Sequence, residues 1–167
     1  MPWTTLPSGS ELHRDAASAF FHDSFQAQYH GEEKTALVLA ARLAHSTPRW
    51  FEWLMDLRNS AVSLVGLKDV GRFGAVDLSK IGEYQVGDRF GIFAIRSIRP
   101  EEVVLEEDDK HLRVRLSVHL TPGKPQQVTV TTMVHVHNML GYVYMAFVAP
   151  VHKLITPPFV RKIELMP

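Results

Sequence analysis

Residues 111–137 hold two runs of strict alternation joined by Pro122-Gly123-Lys124-Pro125, and no other feature restricts the fold as much. In the first run Leu112, Val114, Leu116, Val118 and Leu120 fall on one side; His111, Arg113, Arg115, Ser117 and His119 fall on the other. In the second, Val128, Val130, Thr132, Val134 and Val136 alternate with Thr129, Thr131, Met133, His135 and His137. A period of two marks a strand with one buried face. A slip of one residue would turn every aliphatic side chain to the wrong side, so the pattern itself selects the register. Pairing residues whose numbers sum to 248 keeps both faces consistent. That register sets Arg113 opposite His135 and His111 opposite His137. The aliphatic face then needs a covering layer.

The rest of the chain supplies one. "RFGIFAIRSI" (89–98) and "EEVVLEED" (101–108) read as strands, and Arg99-Pro100 and Asp108-Asp109 as turns between neighbours, which predicts an antiparallel meander. "DSFQAQY" (23–29) alternates as an earlier strand, and "EEKTALVLAARLAHS" (32–46) reads as a helix with Glu32 and Glu33 near its positive end. A second helix is expected from Thr47 as N-cap and Pro48 in the first turn, with Gly66 as terminator. Residues 71–88 read as a Gly-rich loop. At Asn138 alternation stops, and an Asn there can cap a new helix. That helix is apolar nearly all round, which predicts burial on more than one side, with Pro150 bending it. The expected class is α+β: a curved antiparallel sheet wrapped around a long C-terminal helix, with two short helices after the first strand. Residues 1–18 read as an irregular leader and 19–167 as one domain.

Composition narrows the functions. A chain of 167 residues, 46% hydrophobic, suits one domain with a real core. Lys plus Arg and Asp plus Glu balance at 18 each, so no electrostatic footprint for nucleic acid is present. There is no cysteine, which excludes a disulfide framework, a thiolate metal site and a Cys nucleophile. The N-terminus has no basic start followed by an apolar run, so no secretory signal is expected. The apolar run 139–151 is short for a bilayer and interrupted by Pro150, so no membrane span is expected either. A soluble, cytoplasmic protein is the expectation.

Several segments carry a family resemblance: "LMDLRNSAVSLVGLK", "GDRFGIF", "EDDKHLRVRLSV" and "VHNMLGYVYMAFVAPVHKLI". In order and spacing, from about Trp50 to Ile155, they resemble the bacterial family called domain of unknown function 2867. That family looks like a member of the helix-grip (START/Bet v 1-like) superfamily. The resemblance implies an apolar cavity under the C-terminal helix and transfers no catalytic residue.

Candidate ligand contacts follow from the residues. His135 and His137 share one side of a strand, about 6.5–7 Å apart at Cα, and His111 lies across from them. Imidazoles so placed can hold zinc. However, the aliphatic face must meet the helices, which turns the His/Arg face outward, and Arg113 and Arg115 repel a cation, so no metal and no cofactor is expected. The same face, Arg115 included, is a candidate for an anion or for a second copy in a homodimer. Asn138, Tyr142 and Tyr144 stand at the start of the helix expected over the cavity, and buried tyrosine hydroxyls need partners. At ~100° per residue, the helix starting at Pro48 has an apolar arc from Trp53 through Phe51 to Met55, with Arg58 near its middle. A charge there needs a partner or a ligand carboxylate, and Asp77 and Asp109 are the candidate partners. No Gly-x-Ser-x-Gly, phosphate-loop or His-Glu-x-x-His pattern occurs. Three functions are therefore expected to compete. The first is a module binding a small apolar or amphipathic molecule, the second an enzyme of cyclase, dehydratase or isomerase type in the same cavity, the third a structural homo-oligomer using the His/Arg face.

Overall fold

The computed structural model describes residues 4–63 and 75–167; the side chains at 54, 57, 58 and 61–63 also lie outside the description. Six antiparallel strands build one curved sheet in the order β1-β6-β5-β4-β3-β2. They are β1 (Phe21–Tyr29), β2 (Arg89–Phe90), β3 (Phe93–Ile98), β4 (Glu102–Asp108), β5 (Leu112–Thr121) and β6 (Gln126–Val136). Between β1 and β2 come helices α1 (Ala36–His45) and α2 (Arg49–Ser63); α3 (Met139–Val160) follows β6. The α+β order expected from sequence is the order observed.

The central hairpin has the register that alternation demands, with Arg113 opposite His135 and Leu112 opposite Val136. The first strand pairs with the last, Asp23 against Thr132 and Phe25 against Val130. One strand expected over 89–98 is two, because Gly91, with φ of 61°, turns the chain within a two-residue hairpin. Further on, the register of β3 against β4 shifts between Ile95 and Ser97, bending the sheet edge.

The aliphatic face carries the main core. Phe25, Tyr29, Ile95, Leu105 and Val118 pack there with Leu39 of α1, with Val160 at the end of α3 and with Ile163 just after it. Asn138 caps α3, its Oδ1 accepting from the Gly141 N–H at 3.1 Å. Thr47, expected to cap α2, donates its hydroxyl to the Ala44 carbonyl and so closes α1.

Two expectations require correction. The His/Arg face is not an open outer face. The leader lies across it: Leu12 is buried on Val104 and Met133, with Leu6, Ala16 and Ala19 beside it. Two 3-10 turns, Glu11–Arg14 and Ala16–Ser18, shape this segment. Its apolar residues are scattered among Ser, Pro and charges, so no period betrayed the contact. Second, α3 is buried on one side only; Gly141, Met145 and Thr156 face inward, while Met139, Phe147 and Leu154 stand in solvent. With the turn after it, the helical run Met139–Leu165 is long and apolar enough, by length and composition, to cross a membrane. Here its inner face lies on the sheet.

Candidate functional site

The sheet curves away from α3 more than side chains can fill, and an apolar cleft remains between them. It has two lobes. One, of about 180 Å³, lies among α1, α2, the sheet and the C-terminal half of α3, with Leu43, Phe51, Leu105, Leu116 and Phe159 in its wall. The other, of about 160 Å³, lies toward the start of α3 between Phe21, Leu112, Val134, Tyr144 and Met145. Met55, Ile92, Phe93, Val114, Thr132 and His152 line both. A larger depression of about 740 Å³ opens beside the 122–125 turn. Tyr29 and Leu120 in its wall are buried, but the other wall residues are exposed or half-exposed, so the smaller, more enclosed apolar cleft is the better ligand site.

The cleft wall is not wholly apolar: Glu107 and Asp109 line the lobe at the start of α3, and Thr132 and His152 line both lobes. His152 reaches inward from α3, and its Nε2 lies 3.2 Å from Asp23 Oδ1 on β1. Thr156, one turn along α3, brings its hydroxyl within 3.2–3.3 Å of the imidazole nitrogens. Phe21 packs edge-on to the ring at 5.8 Å. Asp23 is 94% buried, and its Oδ2 has no hydrogen-bond partner among the described residues. If Asp23 accepts from Nε2–H, Nδ1 is left as an acceptor on the same ring. The arrangement can hold the polar end of an otherwise apolar molecule, and it can take up or release a proton.

The sequence reading passed over these residues, although their signal is present. Asp23 sits in phase with Phe21, Phe25, Ala27 and Tyr29, as the one acid in an apolar row. His152 and Thr156 fall on the helix face that carries Met145. An in-phase polar residue on each of two elements that must meet is the pattern that could have found them.

Of the residues singled out from sequence, Tyr144 lines the cleft. Tyr142 is on the outer side of α3, edge-on to Phe20 at 5.0 Å. Trp53 is 62% exposed and points away. Arg58 falls within α2, and its side chain lies outside the described residues. Its two suggested partners have other bonds: Asp77 Oδ1 accepts from Ser79, and Asp109 Oδ1 accepts from the His111 and Leu112 N–H groups.

The His/Arg residues go to separate neighbours. His111 Nδ1 meets the Asn138 side chain, His137 Nε2 meets Asp108 at 2.9 Å, and His135 Nε2 meets Ser18 at 3.3 Å. Among the described residues no group of three or more His, Asp or Glu could hold a metal. Arg115 is buried under the leader and ion-paired with Asp15 and, at 2.6 Å, with Glu106. Burial, then Arg113 and Arg115, press the His135 pKa below the usual histidine value, against a smaller opposing pull from Asp15.

A family model described as "Protein of unknown function (DUF2867)" matches residues 16–159. No curated protein and no solved structure matches the chain.

Proposed function

This chain belongs to the DUF2867 family, whose function is unknown, and from that premise we propose that it binds a small apolar or amphipathic molecule between sheet and α3. The observation that carries the reading is the two-lobed, largely apolar cleft with His152 in the wall of both lobes, hydrogen-bonded to Thr156 and to the buried Asp23. Each lobe, of about 180 and 160 Å³, is smaller than the ~300–1,000 Å³ of ordinary ligand sites, which restricts the ligand to a small molecule. The chemistry suits a ligand with a hydrocarbon body and one hydroxyl, carbonyl or carboxyl end.

Native mass spectrometry of the purified protein, together with melting curves in a series of medium-chain alcohols, tests this. A retained small molecule, or a melting point that rises with alcohol length, is expected. Val114→Trp, which fills the wall common to both lobes, should remove either effect and leave the protein folded. No retained mass and no thermal response to any chain length would sink the reading.

A second reading, an enzyme of cyclase, dehydratase or isomerase type, draws on the same imidazole. A histidine oriented by a buried carboxylate beside an apolar space suits general acid–base work. Its test is hydrogen–deuterium exchange at the carbon next to a cyclic ketone in D2O. Exchange that disappears in His152→Gln favours catalysis; equal rates with and without protein leave only binding.

A further inference from the structure

The outer face of α3 gathers many of the exposed large apolar side chains among the described residues. Met139 is 75% exposed, Val143 52%, Phe147 75%, Val151 46% and Leu154 77%, with Tyr142 at 44% along the edge. Of the 22 residues of α3 only Lys153 carries a formal charge at neutral pH. Its ammonium lies 5.8 Å from the centre of the Phe21 ring, toward the β1 side. The face is thus a continuous apolar stripe, of a kind soluble surfaces rarely leave uncovered.

We propose that a second copy of this chain covers it, the two α3 helices pairing around a two-fold axis. Three observations select that occupant. Taking ~150–250 Å² for an exposed large side chain, the stripe with neighbouring Phe20 offers roughly 800 Å², the share one partner contributes to a standard interface. Met139, Val143, Phe147 and Val151 form a ridge at four-residue spacing. Such ridges interdigitate with their own kind in the commonest helix pairing, and a two-fold contact must be self-complementary. Third, a lipid surface is poorly matched. Helices that lie on membranes carry Lys and Arg on the face opposite the apolar one, whereas that face of α3 is docked on the sheet and the whole chain balances 18 basic against 18 acidic residues. The interface uses neither the cleft nor the His/Arg face, so it stands or falls apart from the proposed binding role.

Sedimentation equilibrium of the full chain at tens of micromolar is the test. Twice the 18.9 kDa chain mass is expected for the parent, and the single mass for Phe147→Glu/Leu154→Glu. Both sites are more than 70% exposed, so the charges should leave the far-ultraviolet circular dichroism unchanged. Because the chain has no cysteine, Phe147→Cys gives an independent reading. Mild oxidation should cross-link it, and should not cross-link Val86→Cys, which is also exposed but lies far along the chain before β2. A monomeric parent, a dimer that survives the double substitution, or equal cross-linking of the two cysteine variants overturns the proposal. So does a parent that stays monomeric and sediments with phosphatidylcholine vesicles, which would assign the stripe to lipid.

Discussion

Glu102 has none of its side chain exposed and still opens β4 as an acid. Burial works against its charge. The Ser10 hydroxyl at 2.5 Å, the Ser117 hydroxyl at 2.6 Å, the Glu11 N–H at 2.8 Å and the Arg99 guanidinium together outweigh burial, holding its pKa below the ordinary glutamate range. Ser10 and Glu11 belong to the leader, so this carboxylate fastens the leader to the sheet. Glu102→Ala, which strands those donors, is expected to cost about 3–5 kcal/mol in urea unfolding. The contribution exists above the unfolded pKa of about 4.3 and is lost as pH falls through the lower folded value. The gap between parent and variant should therefore narrow in acid; a gap that stays constant to pH 2 would assign the effect to packing. His135 has the opposite protonation logic. Its folded pKa is depressed, so below about 6.5 the unfolded chain takes a proton that the folded chain resists. Parent stability should fall as pH drops from 6.5 toward the folded value, and His135→Gln should flatten that part of the curve. Superimposable curves would show that His135 is not the group responsible.

At the scale of elements, the start of α3 shows what local sequence can and cannot announce. Its cap was legible, because Asn138 needs only the N–H three residues on. The need for Gly141 was not. A Cβ there would run into the His111 carbonyl and come within 2.8 Å of Val136 Cγ1, atoms brought close by β5 and β6. In an exposed helix Gly→Ala stabilises by up to ~1 kcal/mol. Here Gly141→Ala is expected to destabilise by about 1–3 kcal/mol through overpacking, read as a lower thermal midpoint. A raised midpoint would mean that the helix can shift on the sheet at little cost. The split of 89–98 into β2 and β3 has a similar cause: Phe90, Ile92 and Phe93 read as one apolar run, and only the turn at Gly91 separates them.

At the scale of the whole molecule, the sheet has two covered faces instead of one. Helices and the cleft take the aliphatic side, and the leader takes the side of Arg115 and His135. Leu12 is 1% exposed at the centre of that second contact, against Val104 and Met133. Leu12→Ala should cost about 2–5 kcal/mol, measured by chemical denaturation, although the residue lies outside every long strand and helix. A loss under 0.5 kcal/mol would show the leader to be a loose cover. Sequence alone determined the register of the central hairpin, the order of elements and the α+β class, since alternation and turn residues act over a few positions and a register error would misplace a whole apolar row; the pairing of β1 with β6 came only from the fold. Sequence also determined the family, through segments held in order along the chain. Tertiary structure decided what each face meets: that Asp23 and His152, 129 positions apart, share one hydrogen bond in the cleft, that the leader covers the His/Arg face, and that α3 keeps an apolar stripe in water. Periodicity states that a side chain is apolar or charged. Which surface it reaches depends on groups distant in sequence, and no local pattern encodes that meeting.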